Sequence, residues 1–173
     1  MTTLYLLRHA KSAHDVPGLE DKARELNSRG RSAAARLGRY LKDQDTIPDL
    51  ILCSTAVRTR QALEILGEAA AWADDATEIR YEDRLYLASP ADIRNVVSAA
   101  NAFSGVMVVG HNPGLQDFAL ELAKPGNERV ELLRDKFPTG ALAVLDADGY
   151  RWDDLGYRSL ALTAFIRPRD LND

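Results

Sequence analysis

Residues 4–9 are Leu4-Tyr5-Leu6-Leu7-Arg8-His9, an apolar run that stops at an Arg-His pair. A second apolar run, Val106-Met107-Val108-Val109, stops at Gly110-His111 about a hundred residues later. Two such runs predict two parallel strands of one sheet, each delivering a histidine to the same edge. Ligands of open α/β sheets bind just beyond the carboxyl ends of the strands. The two segments therefore predict a shared histidine and arginine site at that edge.

Length and composition indicate one globular domain, spanning residues 1–173. The chain is 46% hydrophobic, which is enough to bury a good core. Its net charge of −4 and its pI near 5.4 argue against a general nucleic-acid binder and against a binder of anionic membranes. Any anion site must then be a local basic pocket on an acidic surface.

Several features favour a cytoplasmic protein. Cys53 is the single cysteine, so no internal disulfide is expected, which fits a reducing compartment. The first residues, Met1-Thr2-Thr3, lead directly into strand-like sequence without the basic region and cleavage site of a signal peptide. No apolar stretch approaches the roughly 20 residues that are needed to span a bilayer.

The order of apolar patterns along the chain predicts an α/β fold. Short apolar runs, typical of strands, alternate with longer amphipathic stretches of helical period. Such alternation implies right-handed β-α-β crossovers, and hence a three-layer α/β/α sandwich around a mostly parallel sheet. The polar residues 124–136 fit either a surface loop or a helix, and the last strand is a candidate for antiparallel pairing. Predicted strands span 4–7, 50–53, 78–81, 105–109, 141–145 and 160–166, and predicted helices span 28–42, 55–73, 89–101 and 113–122.

A second arginine is predicted at the same sheet edge as the two histidines. Arg58 follows directly after the strand predicted at 50–53, so it emerges where His9 and His111 emerge. Together with Arg8, these side chains form a pocket for a dianionic tetrahedral group, because each guanidinium fork matches two phosphate oxygens. A neutral imidazole in such a pocket is a competent nucleophile toward phosphorus, and the arginines stabilise charge in the transition state.

Several short motifs follow one another along nearly the whole chain. They are, in order, Arg8-His9-Ala10, Leu26-Asn27-Ser28-Arg29-Gly30, Arg58 followed by Gln61, Leu85-Tyr86-Leu87-Ala88-Ser89-Pro90, Gly110-His111-Asn112-Pro113-Gly114 and Pro138-Thr139-Gly140-Ala141. Each motif is weak alone, but their order and spacing form a specific pattern. With these motifs the chain resembles the histidine phosphatase superfamily, which has a phosphoglycerate mutase-like fold. Within that superfamily it is most similar to the phosphohistidine phosphatases of the SixA type.

The resemblance implies a role for each residue of the pocket. His9 attacks phosphorus and carries the phosphoryl group as a phosphohistidine, which water then hydrolyses. Arg8 and Arg58 hold the phosphate oxygens, and His111 stabilises their charge as a hydrogen-bond donor. No metal or other cofactor is expected, because the arginines supply the positive charge that Mg²⁺ supplies in other phosphoryl-transfer sites.

Further candidate residues lie in the loop at residues 12–25 and beside the second histidine. Arg24 matches a basic residue that is common in SixA-type chains, and it is a candidate for substrate binding. Asn112, next to His111 in its motif, is a candidate for binding phosphate. Lys11, His14 and Lys22 could also face the pocket and select the substrate.

The chain departs from the family pattern at two positions. Ala10 stands where the family usually has glycine, which is acceptable only if the backbone there has an ordinary φ. Larger relatives place a glutamate general acid after the third strand. Here the corresponding carboxylate is Asp83, with Glu82 next to it. SixA-type chains often lack an obvious acid, and imidazole leaves phosphorus more readily than an alkoxide does, so a phosphohistidine substrate has less need of one.

Three functions are compatible with these residues. The first is hydrolysis of a phosphoryl group, with phosphohistidine in a protein as the leading substrate. The second is a phosphatase or phosphomutase for small phosphate esters, although the chain shows no large insertion that could form a substrate cap. The third is a non-catalytic phosphate-binding protein. A metal site of His9, His14 and Asp15 can be drawn, but no other residue supports it.

Overall fold

Strands and helices alternate through most of the chain in the computed structural model, which describes residues 1–14 and 16–172. In that part of the chain, the six strands are β1 (Thr3–Arg8), β2 (Leu50–Ser54), β3 (Glu78–Glu82), β4 (Gly105–Gly110), β5 (Leu142–Asp146) and β6 (Ala161–Ile166). The five α-helices are α1 (Ser28–Asp43), α2 (Val57–Ala70), α3 (Pro90–Val97), α4 (Gly114–Leu122) and α5 (Glu128–Asp135). Among the described helices, none is long and apolar enough to cross a membrane.

The strands form one sheet in the order β3-β2-β4-β1-β5-β6. Strand β1 pairs parallel with β4, and β2 pairs parallel with both β3 and β4. Strand β5 runs antiparallel to β1, and β6 runs antiparallel to β5. The prediction of a mostly parallel sheet with an antiparallel tail is therefore confirmed.

Side chains of the central strands alternate between two apolar layers, as a period of two requires. On one face, Leu4 and Leu6 belong to a buried cluster with residues of α3 and α4, such as Phe118. On the other face, Leu7 packs in a second cluster with residues of α1 and α2, such as Leu37. Helices thus cover both faces of the sheet, which confirms the predicted three-layer sandwich.

Most predicted boundaries lie within two residues of the observed ones, and the exceptions have local causes. Helix α2 ends at Ala70 because Ala71 adopts a left-handed conformation, with φ of 55°, and its N–H bonds back to the last turn. Helix α3 ends at Val97, where 3-10 type hydrogen bonds replace the helical ones. In the polar stretch 124–136, a helix forms, with the Asn127 side chain accepting a hydrogen bond from the Val130 N–H.

The start of α1 lies directly against the loop that follows β1. Asn27 is the N-cap, and its side chain accepts a hydrogen bond from the Gly30 N–H at 2.9 Å. The Asn27 N–H in turn donates to the Lys11 carbonyl at 3.0 Å. A Cβ at Gly30 would lie only 2.1 Å from that same carbonyl oxygen. Glycine is therefore required here, because it lets the helix approach the loop that carries Lys11.

Candidate active site

The register of the central strands places the two histidines side by side. Arg8 of β1 pairs with Gly110 of β4, so His9 and His111 each lie one residue beyond this pair. The His9 N–H donates to the Gly110 carbonyl at 3.1 Å, and the two imidazole centroids are 5.2 Å apart. The strands thus bring together two side chains that are far apart in sequence.

A cavity of about 350 Å³ lies at this edge of the sheet. Four of its residues are those expected from the sequence to surround an oxyanion, and the rest come from three loops and the turn before β5. The cavity is lined by Arg8, His9, Lys11, Ser12, His14, Asp21, Arg24, Arg58, Leu87, His111, Asn112 and Thr139. The structure therefore brings both arginines and both histidines to one hollow.

His9 is held as a neutral imidazole. Its Nδ1 lies 2.7 Å from the Ala10 carbonyl oxygen, and a carbonyl can only accept, so Nδ1 carries the proton. The lone pair is then on Nε2. Burial, together with the nearby charges of Arg58 and Arg8, lowers the pKa of His9 to about 4. At neutral pH this side chain has a free nitrogen lone pair.

Ala10 fits its position without a glycine's conformational freedom. It is not among the described residues with positive φ. The backbone at this position therefore has the ordinary φ that an alanine requires. Its methyl group is buried and packs in a small apolar cluster with Leu26, Ala34 and Ala62. The departure from glycine therefore leaves the loop conformation intact and adds apolar contact.

His111 already has a partner at each ring nitrogen. Arg58 Nη2 lies 3.3 Å from Nδ1, and because a guanidinium can only donate, Nδ1 is the acceptor. Nε2 then carries the proton and donates to Ser54 Oγ at 2.8 Å. Burial, followed by the charge on neighbouring side chains, lowers the pKa of His111 to about 3. The predicted donation to phosphate requires His111 to exchange one of these bonds for a phosphate oxygen.

The two arginines are buried or half-buried, and among the described residues the Nε of each lacks a partner. Arg58 is only 2% exposed, and Arg8 Nη1 donates to the Phe137 carbonyl at 2.8 Å. In the described part of the chain, the Nε atoms of both arginines are buried without a hydrogen-bond partner. An unpaired buried donor is costly, so each Nε could donate a hydrogen bond to an anion if the side chains shift around it.

Asp21 is a residue of the cavity that the sequence did not predict. Its main-chain oxygen accepts from Arg58 Nη1 at 2.7 Å, and its carboxylate accepts from Arg58 Nη2 at 3.1 Å. Tyr86 donates a short hydrogen bond to the same carboxylate. This bond, together with the charges of Arg58 and Arg24, lowers the pKa of Asp21 to about 2. Asp21 thus orients Arg58 and remains ionised beside the pocket.

Tyr86 and Ser54 were also missed. Tyr86 contacts His111 edge-on at 5.5 Å between ring centroids, and its ring lies under the Arg58 guanidinium at 5.8 Å. Ser54 is fully buried at the end of β2. The sequence did hold a signal for Ser54, because it is a polar residue that ends an apolar strand shortly before Arg58. Asp21 lies in a loop without periodicity, so no pattern could place it.

Arg24 and Asn112 line the cavity as expected, but both are engaged with protein atoms. Arg24 Nη1 donates to Ser12 Oγ at 2.8 Å, and its Nε donates to Asp21 at 3.0 Å. Asn112 Nδ2 donates to the Phe137 carbonyl at 3.1 Å. Their predicted role in substrate binding stays a prediction, and the structure adds a role in holding the walls of the cavity.

Asp83 is not among the residues that line the cavity, and its surroundings do not suit a general acid. Its side chain is 80% exposed, and its carboxylate accepts from Thr55 Oγ1 at 2.6 Å and from Lys22 Nζ at 3.2 Å. The hydrogen bond from Thr55 and the charge of Lys22 lower the pKa of Asp83. A carboxylate that is ionised at neutral pH cannot donate a proton. Glu82, the alternative, pairs with Arg84 at 3.2 Å.

Among the described residues, no group of three or more His, Cys, Asp or Glu side chains could hold a metal ion. Asp15, one member of the metal site drawn from the sequence, lies outside the described residues.

The buried imidazoles predict that acid destabilises the protein. The pKa values of His9 and His111 are lowered to about 4 and about 3, whereas an unfolded histidine titrates near 6.5. Below about pH 6.5 the unfolded chain binds protons that the folded chain does not. The free energy of unfolding therefore decreases as the pH is lowered. We expect a loss on the order of 1–2 kcal/mol per imidazole between about pH 6.5 and 5.

Urea unfolding at several pH values, followed by tryptophan fluorescence, measures this loss. The double variant His9→Gln and His111→Gln should lose most of the pH dependence in this range. The matched control is His14→Gln, which removes the one other histidine of the sequence. This variant should keep the pH dependence of the wild type. Equal pH dependence in the double variant and the wild type would contradict the explanation.

Two comparisons with known sequences include residues of this site, and the first covers Arg8, His9 and Arg58 but not His111. The family model described as "Histidine phosphatase superfamily (branch 1)" matches residues 4–86. An uncharacterized protein of Mycobacterium tuberculosis (strain ATCC 25618 / H37Rv) is 36% identical over 167 residues, covering 94% of this chain and 100% of that protein.

Solved structures show the same fold. The putative phosphohistidine phosphatase SixA from Agrobacterium tumefaciens is 33% identical with a TM-score of 0.80, covering 96% of this chain and 98% of the other. A second protein with the same description, from Nakamurella multipartitia, is 32% identical with a TM-score of 0.82, and 96% of each chain is covered.

Proposed function

This chain belongs to the histidine phosphatase superfamily, and from that membership we propose that it hydrolyses phosphohistidine in a protein through a phosphorylated His9. A neutral imidazole beside two guanidiniums, with all three side chains lining one cavity, is the feature that carries the proposal. The nucleophile, the anion binders and a hollow of the right size occur together only here among the described cavities.

In the proposed first step, the Nε2 lone pair of His9 forms a bond to phosphorus while the bond from phosphorus to the substrate imidazole breaks. The substrate imidazole carries a proton on its other ring nitrogen, so it leaves as a neutral imidazole with the bonding electron pair on the freed nitrogen. The guanidiniums of Arg8 and Arg58 donate to the phosphoryl oxygens and stabilise the charge that builds up on them in the transition state. In the second step, water attacks phosphorus, the bond to His9 Nε2 breaks, and orthophosphate and neutral His9 are released.

Among the described residues, the lack of an acidic side chain that could donate a proton into the cavity supports phosphohistidine over phosphate esters as the substrate. The acidic side chain that lines the cavity in the described residues is Asp21, and its pKa is lowered to about 2. An alkoxide leaving group needs a general acid, which contributes about 10²- to 10⁴-fold to the rate. A neutral imidazole leaves without that help, so this site suits a phosphorus–nitrogen bond.

A pair of peptides tests the proposal. Both have one sequence, and the phosphorylated residue is histidine in one and serine in the other. We expect kcat/KM for the phosphohistidine peptide to exceed that for the phosphoserine peptide by at least about 10²-fold, the contribution of the missing acid. Spontaneous hydrolysis is subtracted with the His9→Ala variant. Equal or faster hydrolysis of phosphoserine would favour the small-ester phosphatase instead.

A further inference from the structure

A second cavity, of about 600 Å³, adjoins the catalytic one. It lies between the first half of α1 and the turn at residues 168–170 that follows β6. Lys11 and Thr139 line both cavities, so the two are continuous at this boundary. We call the second cavity the basic groove, because five of its lining residues are cationic, namely Lys11, Arg29, Arg36, Arg167 and Arg169.

The charge of the basic groove is opposite to that of the protein. The chain has a net charge of −4, yet no Asp or Glu is among the described residues that line this groove. Lys11, Arg29 and Arg169 are exposed, and within the described residues their side chains make no hydrogen bond or ion pair. An isolated cluster of exposed like charges is unfavourable by itself, and an anionic partner would stabilise it.

The walls of the groove are fixed by hydrogen bonds. Arg167 forms a bidentate ion pair with Asp170, with both nitrogens at 2.8 Å from the carboxylate. Arg36 Nη1 donates to the carbonyls of Pro168 and Leu171 at 3.4 and 3.3 Å, which ties the turn after β6 to α1. These contacts leave the three exposed cations on a fixed frame, as a binding surface requires.

We propose that the basic groove docks an acidic segment of the phosphoprotein substrate, close to the phosphorylated histidine. This inference rests on the proposed function, since it assigns a partner surface to the same site. A phosphoryl group in the catalytic cavity places the flanking chain of a protein at the boundary that Lys11 and Thr139 form. Carboxylates in that flanking chain then face the unpaired Lys11, Arg29 and Arg169. Small phosphate esters in the catalytic cavity do not reach Arg29 and Arg169, which line only the groove.

Binding of a fluorescein-labelled peptide rich in Asp and Glu, without phosphate, tests the groove directly by fluorescence anisotropy. We expect binding that weakens as salt is added. The double variant Arg29→Glu and Arg169→Glu should raise Kd on the order of tenfold. Its matched control is Arg31→Glu with Arg39→Glu, which makes the same charge change on exposed positions of α1 that do not line the groove.

Three results would overturn the proposal. They are no binding to the wild type, equal weakening in the two double variants, and displacement of the peptide by saturating orthovanadate. The last result would place the acidic chain in the catalytic cavity. The proposal is supported if the peptide binds with unchanged affinity in saturating orthovanadate and only the double variant Arg29→Glu and Arg169→Glu loses affinity for it.

Kinetics separate this proposal from the proposed function. With phosphohistidine peptides flanked by Asp and Glu or by Asn and Gln, the Arg29→Glu and Arg169→Glu variant should raise KM only for the acidic peptide and leave kcat unchanged. If the wild type hydrolyses neither peptide, the proposed function fails, and anisotropy still decides whether the groove binds acidic chains. An equal rise in KM for both peptides contradicts the groove.

Discussion

The His9→Ala variant is expected to lose at least about 10³-fold in kcat on every phosphorylated substrate, while its fold stays intact. Removing a nucleophile leaves only the contribution of binding and charge stabilisation, and the neighbouring imidazole of His111 cannot replace Nε2. His111 has both nitrogens engaged, by Arg58 and Ser54. Undiminished turnover in His9→Ala would refute the covalent mechanism.

A phosphoenzyme trap makes this result specific to chemistry. Wild-type protein mixed with a ³²P-labelled substrate and quenched in alkali, where phosphohistidine survives, should retain label on His9, and the His9→Ala variant should not. Orthovanadate should still bind to His9→Ala, because Arg8 and Arg58 remain. Loss of vanadate binding in that variant would show a collapsed pocket instead of a missing nucleophile.

The second large effect is expected at Arg58. The Arg58→Lys variant keeps one positive charge but loses the fork that contacts Asp21 and His111, together with the buried Nε. We expect kcat/KM to fall about 10²- to 10³-fold, the range found when one charge-stabilising donor is removed. Affinity for orthovanadate should fall as well, because the lost guanidinium is a proposed oxyanion donor.

Arg60 provides the matched control for Arg58. It lies on the same helix, two residues later, and its side chain is exposed over the Tyr81 ring at 5.7 Å. Arg60→Lys should change kcat/KM by less than about twofold, as is usual for exposed positions. Circular dichroism checks that Arg58→Lys is folded. A folded Arg58→Lys variant with activity within threefold of wild type would remove Arg58 from the proposed mechanism.

The sheet could be predicted because its strands are short, apolar and well separated by amphipathic helices. The pairing of Arg8 with Gly110 follows directly from two runs that each end at a histidine. Helix ends were harder to place, since Ala70 and Ala71 have the same side chain and only the left-handed backbone of Ala71 ends α2. Tertiary packing, not local preference, decides such cases.

The cavity could be predicted only where its residues end regular elements. His9, His111 and Arg58 follow strands, so topology alone assigns them to one edge of the sheet. Asp21 comes from an irregular loop, and its contact with Arg58 depends on how that loop folds back over the sheet. Asp83 shows the reverse case: it follows β3, yet it is not among the residues that line the cavity, and its role as general acid stays a prediction.

One main-chain oxygen connects two walls of the catalytic cavity. The Phe137 carbonyl accepts from Arg8 Nη1 at 2.8 Å and from Asn112 Nδ2 at 3.1 Å, so it bridges the ends of β1 and β4. Phe137 belongs to the short connection from α5 to β5. Lengthening that connection by a single residue would therefore misalign the side chains of Arg8 and Asn112 at once. The length of this loop is thus constrained as strictly as the identity of a residue in the cavity.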